Sequence, residues 1–232
     1  EAGISMPGEM ASLRSIIQPT IGVLTGIGTA HQENFASMEE KCIEKLKLFH
    51  DSEAVIYNAD DALIARCMEQ SGYKGRRIGW SQKDRKAPLF VKVIEKKESA
   101  TAVTYVYKGE ESSFSIPFID DASVVNSITC MAVSLYLGLN AGDLAAGMQC
   151  LEPVAMRLEV KSGQHGCTLI NDSYSSDVKS LDIALDFMNR RPDHKGRRHT
   201  LILSDIYQSG ESPRELYREV STLVQGRGVE KF

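Results

Sequence analysis

The chain has 232 residues, of which 42% are hydrophobic and 25% charged, and its formal net charge at pH 7 is −4. This is the composition of a globular protein with one large or two modest domains, and the acidic balance argues against nucleic acid as a partner. The five cysteines are dispersed without a C-x-x-C pair, and no apolar run is long enough to span a bilayer. We therefore expect no zinc site, no disulfide framework, no membrane insertion and a cytoplasmic location.

The first third of the chain alternates short apolar runs with amphipathic segments. The apolar runs predict buried strands at 21–25, 54–57 and 77–80. Capping residues and helical spacing predict helices at 10–17, from Ser37 to about Phe49, and from Asp60 or Asp61 to Gln70. The first of these helices is expected to turn Leu13, Ile16 and Ile17 inward. Such alternation predicts a mostly parallel sheet with helices on both faces.

The pattern changes after residue 89. Period-two alternation predicts an antiparallel meander with strands at 90–95, 102–107 and 113–117. Helical spacing then returns in a long helix, which we expect to start near Asn126, and in a second helix at 143–151. Glu152-Pro153 follows as a predicted domain boundary.

Residues 154–232 have the pattern of a second α/β domain. Strands are predicted at 158–161, 168–171 and 200–203, and helices at 179–189 and after Ser212. The predicted fold class is therefore α/β. A mostly parallel sheet flanked by helices, with an appended antiparallel meander, occupies residues 1–153. The start of a second, Rossmann-like α/β domain occupies residues 154–232.

The most informative stretch lies between the strand predicted at 21–25 and the helix predicted from Ser37. The strand leads into Gly26-Ile-Gly-Thr-Ala-His31-Gln-Glu-Asn-Phe35, and Ser37 with Glu40 forms a capping box for the helix that carries Lys45. Exits of parallel strands are where open α/β sheets bind ligands. The pattern G-x-G-x-A-H-x-E-x-F-x-S followed by E-K-x-K-x-F resembles the central domain of the Mur ligases, which are ATP-dependent amide-bond-forming enzymes of peptidoglycan synthesis. The resemblance covers nearly the whole chain.

The resemblance implies a magnesium site. Glu1, in an E-x-G motif, and His31 would each hold a magnesium ion, and Lys45 would support the second ion after carbamylation by carbon dioxide. Its amine is then expected within reach of His31. Lys41 and Lys47 are rivals of Lys45 by proximity, although the position of the phenylalanine in the motif favours Lys45. Without the resemblance, these residues would be interpreted as a charged terminus, a loop histidine and a solvated lysine.

The resemblance also implies a nucleotide site for ATP. Asn126 would contact the adenine, Arg157 in M-R-L-E would reach the phosphates, and Asp172 and Tyr174 in D-S-Y-S-S-D would lie at the ribose and near the nucleotide. Two motifs depart from the family pattern: Ala-Ser stands at 122–123 where His-Asn is expected, and serines replace the asparagines after Tyr174. Structural roles also remain open, with Asn126 as a helix cap and Asp172 in a loop.

The later motifs favour the member of the family that adds D-alanyl-D-alanine to a UDP-N-acetylmuramoyl-tripeptide, through an acyl phosphate. The alternatives are another Mur-type amino-acid ligase and a non-catalytic nucleotide-binding module. The chain contains no G-x-x-x-x-G-K-[ST] phosphate loop and does not start with methionine, so we interpret it as a fragment that is inactive by itself. In some bacteria this ligase is fused to an alanine racemase, which makes such a fusion possible in the full-length protein.

Overall fold

The structure is a computed structural model that describes residues 2–174, 176–191, 196–206 and 212–231. It divides into two compact units, Glu1–Leu151 and Glu152–Phe232, whereas the predicted boundary followed residue 153. The first unit contains a six-stranded sheet and the second a two-stranded one. Among the described residues, no helix is long and apolar enough to cross a membrane.

The strands of the first sheet follow one another in the order of the sequence. The first four are parallel and the last two pairs are antiparallel, which confirms the predicted fold class. A two-residue turn, Lys108-Gly109, joins the last two strands with both φ angles positive, as a tight hairpin requires. The strands are β1 (Ile21–Leu24), β2 (Ala54–Asn58), β3 (Arg76–Ser81), β4 (Leu89–Lys96), β5 (Thr101–Tyr107) and β6 (Glu110–Ile116).

Helices cover both faces of this sheet. Val55 and Ile56 are adjacent on β2 and completely buried, and they enter two different hydrophobic cores because successive strand residues face opposite ways. The Val55 core includes residues of α2 and α3, and the Ile56 core includes residues of α4, α5 and the antiparallel strands. The helices are α1 (Glu9–Ile17), α2 (Met38–Lys47), α3 (Ala62–Gln70), α4 (Asp121–Tyr136) and α5 (Ala141–Gln149).

The α1 helix begins in an unusual way, since it has no side-chain cap of its own. Instead, Glu44 of α2 accepts hydrogen bonds from the amides of Gly8 and Met10 at 2.8 and 3.3 Å. Glu44 is only 3% exposed, and its other oxygen pairs with Lys47 at 2.6 Å. A carboxylate at a helix N-terminus satisfies unpaired amides and complements the helix dipole. Glu44 therefore fastens α1 to α2.

The prediction that Ile16 and Ile17 face inward is wrong, because they are 76% and 48% exposed. Met10 is the buried residue of α1, and Leu13 packs beside it. The helix packs mainly against α2. Its last turn therefore lies outside the core even though the spacing of its apolar residues is helical.

The second unit contains an antiparallel hairpin and two helices. The hairpin consists of β7 (Glu159–Ser162) and β8 (Thr168–Asn171), and the helices are α6 (Val178–Arg190) and α7 (Pro213–Gly226). The strand predicted at 200–203 is not formed: the segment makes one isolated bridge, between Thr200 and Lys231. A ladder needs a neighbouring strand, and no strand in the described part of the chain pairs with this segment.

Candidate functional site

The loop between β1 and α2 presents His31. Its backbone has φ 59° and ψ 22°, a left-handed conformation that is uncommon for residues other than glycine. The residue is half-buried and precedes a short 3-10 turn, Gln32–Asn34. The far end of the loop is fixed, because the Asn34 side chain donates to the carbonyl oxygen of Ser5 at 2.9 Å. We call residues 26–35 the His31 loop.

The helix α2 starts as the capping box predicts. Ser37 Oγ accepts a hydrogen bond from the amide of Glu40 at 3.1 Å, while the Glu40 carboxylate accepts one from the amide of Ala36 at 2.6 Å. The return bond thus goes to the residue before the cap. Both bonds orient the first turn of the helix next to the His31 loop.

The three lysines of α2 have different surroundings. Lys47 pairs with Glu44 on the α1 side, as described above. Lys41 is only 2% exposed, and its ammonium donates to the main-chain oxygen of Gly28 at 2.8 Å and to that of Ala30. Lys45 lies one turn after Lys41 and is half-buried. The approach of the Lys45 amine to His31 stays a prediction.

Charges around the loop influence one another. Burial lowers the pKa of Lys41 and the positive charge of Lys45 lowers it further, whereas Glu33 raises it. The amides of Ser5 and Met6 hold the pKa of Glu9 below its usual value, and the His31 imidazole adds to that effect. The charge of Glu9 therefore interacts with His31, and the sequence patterns did not single out Glu9.

The predicted magnesium site combines Glu1, His31 and Lys45. Glu1 lies outside the described residues, and the described ones form no group of three or more His, Cys, Asp or Glu side chains suited to a metal. Near His31 in the chain, Gln32 Oε1 is buried without a hydrogen-bond partner in the described part of the protein. Magnesium usually keeps several waters and binds through few protein ligands together with substrate phosphates. This sparse donor set fits such an ion better than a metal enclosed by protein ligands.

The expectation that Asn126 starts the long helix is wrong. The helix α4 begins at Asp121, and the side chain of Asp120 caps it by accepting from the amide of Ser123 at 2.7 Å. Asn126 lies in the second turn of α4, and its side chain is exposed. Asn126 is thus not a cap, and a role in contacting adenine stays a proposal.

In the second unit, three of the predicted site residues come together. The Arg157 guanidinium lies over the ring of Tyr174, with 4.1 Å between its central carbon and the ring centroid. Asp172, at the end of β8, accepts a hydrogen bond from the amide of Leu158 at 3.0 Å. Stacking and hydrogen bonding therefore hold one short segment against the end of the hairpin.

The backbone on both sides of Arg157 is in the left-handed region. Met156 has φ 60° and Leu158 has φ 47°. Such conformations cost free energy and persist where surrounding contacts enforce them, often at functional sites. Two carboxylates provide those contacts: Asp172 holds the amide of Leu158, and Glu159 accepts from the amide of Met156 at 3.3 Å. The pKa of Glu159 is lowered by Lys161 first and by that amide second.

A cavity of about 1010 Å³ opens beside this cluster. It is lined by β8, by one face of α6 and by the segment around Leu201, and its lining includes Asp172 and Asp177. Asp177 caps α6 by accepting from the amide of Ser180 at 2.8 Å, so this aspartate has a structural role. The sequence patterns did not indicate this cavity, because helix and strand signals do not reveal the space between elements.

Sequence reasoning also missed the anchoring role of Lys41, which it treated only as a rival of Lys45. The one available signal is the position of this lysine next to Cys42 and near Leu46, two apolar residues that are buried on the same helix. Its partners are main-chain oxygens, which leave no mark in a sequence.

The chain is similar to solved structures over nearly its whole length. It aligns with MurF from Acinetobacter baumannii with a TM-score of 0.80 and 20% identity, over 98% of this chain and 48% of that one. MurF from Thermotoga maritima, solved in complex with ADP, gives a TM-score of 0.74 and 18% identity over 95% of this chain and 50% of that one. These likenesses establish the fold.

The sequence comparisons identify the relatives. The UDP-N-acetylmuramoyl-tripeptide–D-alanyl-D-alanine ligase of Bacillus subtilis (strain 168) is 24% identical over all of this chain and 49% of its own length. The ligase of the same name from Mycobacterium tuberculosis (strain H37Rv) is 26% identical over 88% of this chain and 41% of its own. The chain thus spans about half the length of these relatives. Residues 1–134 match the Mur ligase middle domain, and the chain therefore belongs to the Mur ligase family.

Proposed function

We propose that this chain is part of an ATP-dependent ligase that joins D-alanyl-D-alanine to a UDP-N-acetylmuramoyl-tripeptide in peptidoglycan synthesis. The observation that carries the proposal is the cluster of Arg157, Tyr174 and Asp172 in a member of the Mur ligase family. The relatives described above, which bear the name of this ligase, support the choice of substrates.

The cluster suits the phosphates and ribose of a nucleotide. A guanidinium presents a planar fork of donors that matches phosphate oxygens, and stacking on Tyr174 orients that fork before ATP arrives. Asp172 would accept hydrogen bonds from ribose hydroxyls, and the exposed side chain of Asn126 would approach the adenine. Each residue has the functional group that its proposed contact needs.

In the first unit, His31, Lys45 as its carbamate, and Glu1 would hold magnesium. When bound, magnesium neutralises charge on the phosphoryl group that moves from ATP. The proposed reaction transfers that group to the peptide carboxylate, and the acyl phosphate is then attacked by the dipeptide amine with release of phosphate. The chain's own contribution is to position the nucleotide and to keep His31 close to α2.

The 232-residue chain by itself is expected to show no ligase activity, because it lacks a G-x-x-x-x-G-K-[ST] loop to grip the ATP phosphates. The measurement is phosphate release by the purified chain, with and without both substrates. Release that depends on both the muramoyl-tripeptide and the dipeptide would contradict this expectation. In the full-length ligase, turnover with single amino acids in place of the dipeptide would favour another Mur-type amino-acid ligase.

Replacing Arg157 by alanine in the full-length ligase is expected to raise the KM for ATP by about 10- to 100-fold, the loss associated with a charge-assisted contact to an anion. Arg157→Lys should recover only part of this affinity, because an ammonium keeps the charge without the planar fork. Steady-state kinetics with varied ATP provide the measurement.

The matched control for this experiment is Arg218→Ala. Arg218 is an exposed arginine on α7 of the same unit, and its removal should leave the KM for ATP unchanged. Equal ATP affinity in the Arg157 and Arg218 variants would remove Arg157 from the nucleotide site. Thermal unfolding of both variants separates a loss of affinity from a loss of folding.

A further inference from the structure

The starting point is the burial of the Lys41 ammonium. Lysine is almost never fully buried unless it is paired, because removing its charge from water is costly. Lys41 is nevertheless 2% exposed, and its hydrogen bonds go to the carbonyl oxygens of Gly28 and Ala30. In the described part of the chain, no carboxylate forms an ion pair with it. The stabilisation of this charge therefore depends on the His31 loop.

The two carbonyl groups belong to Gly28 and Ala30, which lie three residues and one residue before His31. Both turn toward a single ammonium, which fixes the path of the chain through Thr29 and into the left-handed conformation of His31. With glycine at 26 and 28, this stretch would otherwise have wide conformational freedom. Lys41 also lies 5.8 Å from the ring centroid of buried Phe35, at the other end of the loop. One side chain thus contacts the loop before and after His31.

Lys41 and Lys45 are four positions apart on α2, so they are neighbours on one side of the helix. The residue that ties down the loop is therefore one turn from the lysine with which His31 is proposed to act. If the hydrogen bonds of Lys41 to the loop were lost, the distance between the His31 imidazole and the Lys45 amine would change directly.

We propose that Lys41 is the positioning residue of the site, an ammonium whose two bonds to the His31 loop set the placement of His31 relative to Lys45. It acts through the loop and touches neither nucleotide nor substrate. The inference deepens the proposed function and rests on it for the roles of His31 and Lys45, but the anchoring of the loop can be tested without any ligand.

The first test is hydrogen exchange of the unliganded 232-residue chain carrying Lys41→Met, which keeps the unbranched side chain except for its terminal ammonium and so removes the charge. The reporters are the amides of Gln32, Asn34 and Phe35, whose hydrogen bonds close the turn after His31. We expect their exchange to become at least about tenfold faster, as follows from the loss of bonds to a charged group. Unchanged exchange would overturn the proposal.

Lys92→Met is the matched control, since Lys92 lies on β4 in an exposed pair with Glu111 and should leave the loop unaffected. If Lys41→Met does not fold, Lys41→Ala with added ethylammonium chloride replaces it. Recovery of protection in the loop with ethylammonium, and not with sodium chloride at the same concentration, supports the anchor. No difference between the two salts in a folded Lys41→Ala protein counts against it.

The second test uses the full-length ligase and separates this inference from the proposed function. Lys41→Met should raise the magnesium concentration for half-maximal activity and lower kcat by about tenfold or more, with the KM for the dipeptide unchanged. Lys41→Arg, which keeps the positive charge and the donors, should recover part of the loss. A loosened loop with normal kinetics would overturn the positioning role of Lys41. Failure of Lys45→Ala to affect activity while the loop responds to Lys41→Met would count against the proposed function alone.

Discussion

Replacement of Lys45 by alanine in the full-length ligase should lower kcat by about 10²- to 10³-fold, the usual effect of removing a group that stabilises developing charge. The proposed carbamate of Lys45 is an anion, and its loss would leave the second magnesium ion without one of its supports. Lys45 is half-buried on α2, one turn after the loop anchor Lys41. Steady-state kinetics with saturating ATP and magnesium provide the measurement.

A small carboxylic acid, such as acetate or formate, should restore part of the activity of Lys45→Ala, because it can occupy the space of the missing carbamate. Lys92→Ala, which removes a lysine from an exposed ion pair on β4, is the control and should keep normal turnover with no response to the acid. Near-normal activity of Lys45→Ala would remove this lysine from the site.

The largest effect on stability is expected from Trp80→Ala, which should reduce the free energy of unfolding by about 3–5 kcal/mol. Trp80 on β3 is completely buried in the core shared by the sheet and α4. Its indole N–H donates to the hydroxyl of Thr129 on α4 at 3.0 Å. Urea unfolding followed by far-UV circular dichroism measures the change, since the variant lacks the chain's one tryptophan.

Two further variants give values with which the destabilisation by Trp80→Ala can be compared. Thr129→Val keeps the packing but leaves the buried indole without its acceptor, and should cost about 1–3 kcal/mol. Ile16→Ala removes a large side chain that is 76% exposed on α1 and should change stability by less than about 0.5 kcal/mol. A Trp80→Ala protein as stable as the Ile16→Ala protein would show that the core does not depend on Trp80.

The sequence was a sufficient guide wherever a signal is local. Ser37 caps the helix that its capping box predicted, Ser212 caps the helix predicted to follow it, and Lys108-Gly109 forms a tight turn between two strands of the predicted meander. In each case the partner atoms lie within four residues of the signal. Patterns of this kind fixed the number and type of most elements, with ends that moved by a few residues.

Prediction was wrong where the outcome depends on distant partners. The apolar run at 200–203 has the composition of a buried strand, yet a run becomes a strand only beside another strand. Ile16 and Ile17 have helical spacing, but spacing does not say how far the neighbouring helix extends alongside.

In the candidate site too, local motifs were good predictors, whereas contacts with distant partners were missed. The motifs around Arg157 and Tyr174 placed two residues in one site, and the structure stacks their side chains. The role of Lys41 could not be inferred, since its partners are peptide oxygens of residues whose own side chains are absent or small. The expectation that α4 starts near Asn126 was wrong because asparagine caps helices as well as aspartate does, and Asp120 already performs that task.

The bond between Glu44 and the start of α1 has a consequence for synthesis on the ribosome. A nine-residue helix is marginal in water without tertiary support, and α1 receives its cap from a residue about 36 positions later in the chain. When α1 leaves the exit tunnel, Glu44 has not yet emerged, so the amides of Gly8 and Met10 stay hydrated. The helix α1 therefore gains its cap only after α2 has been made, although α1 is translated first.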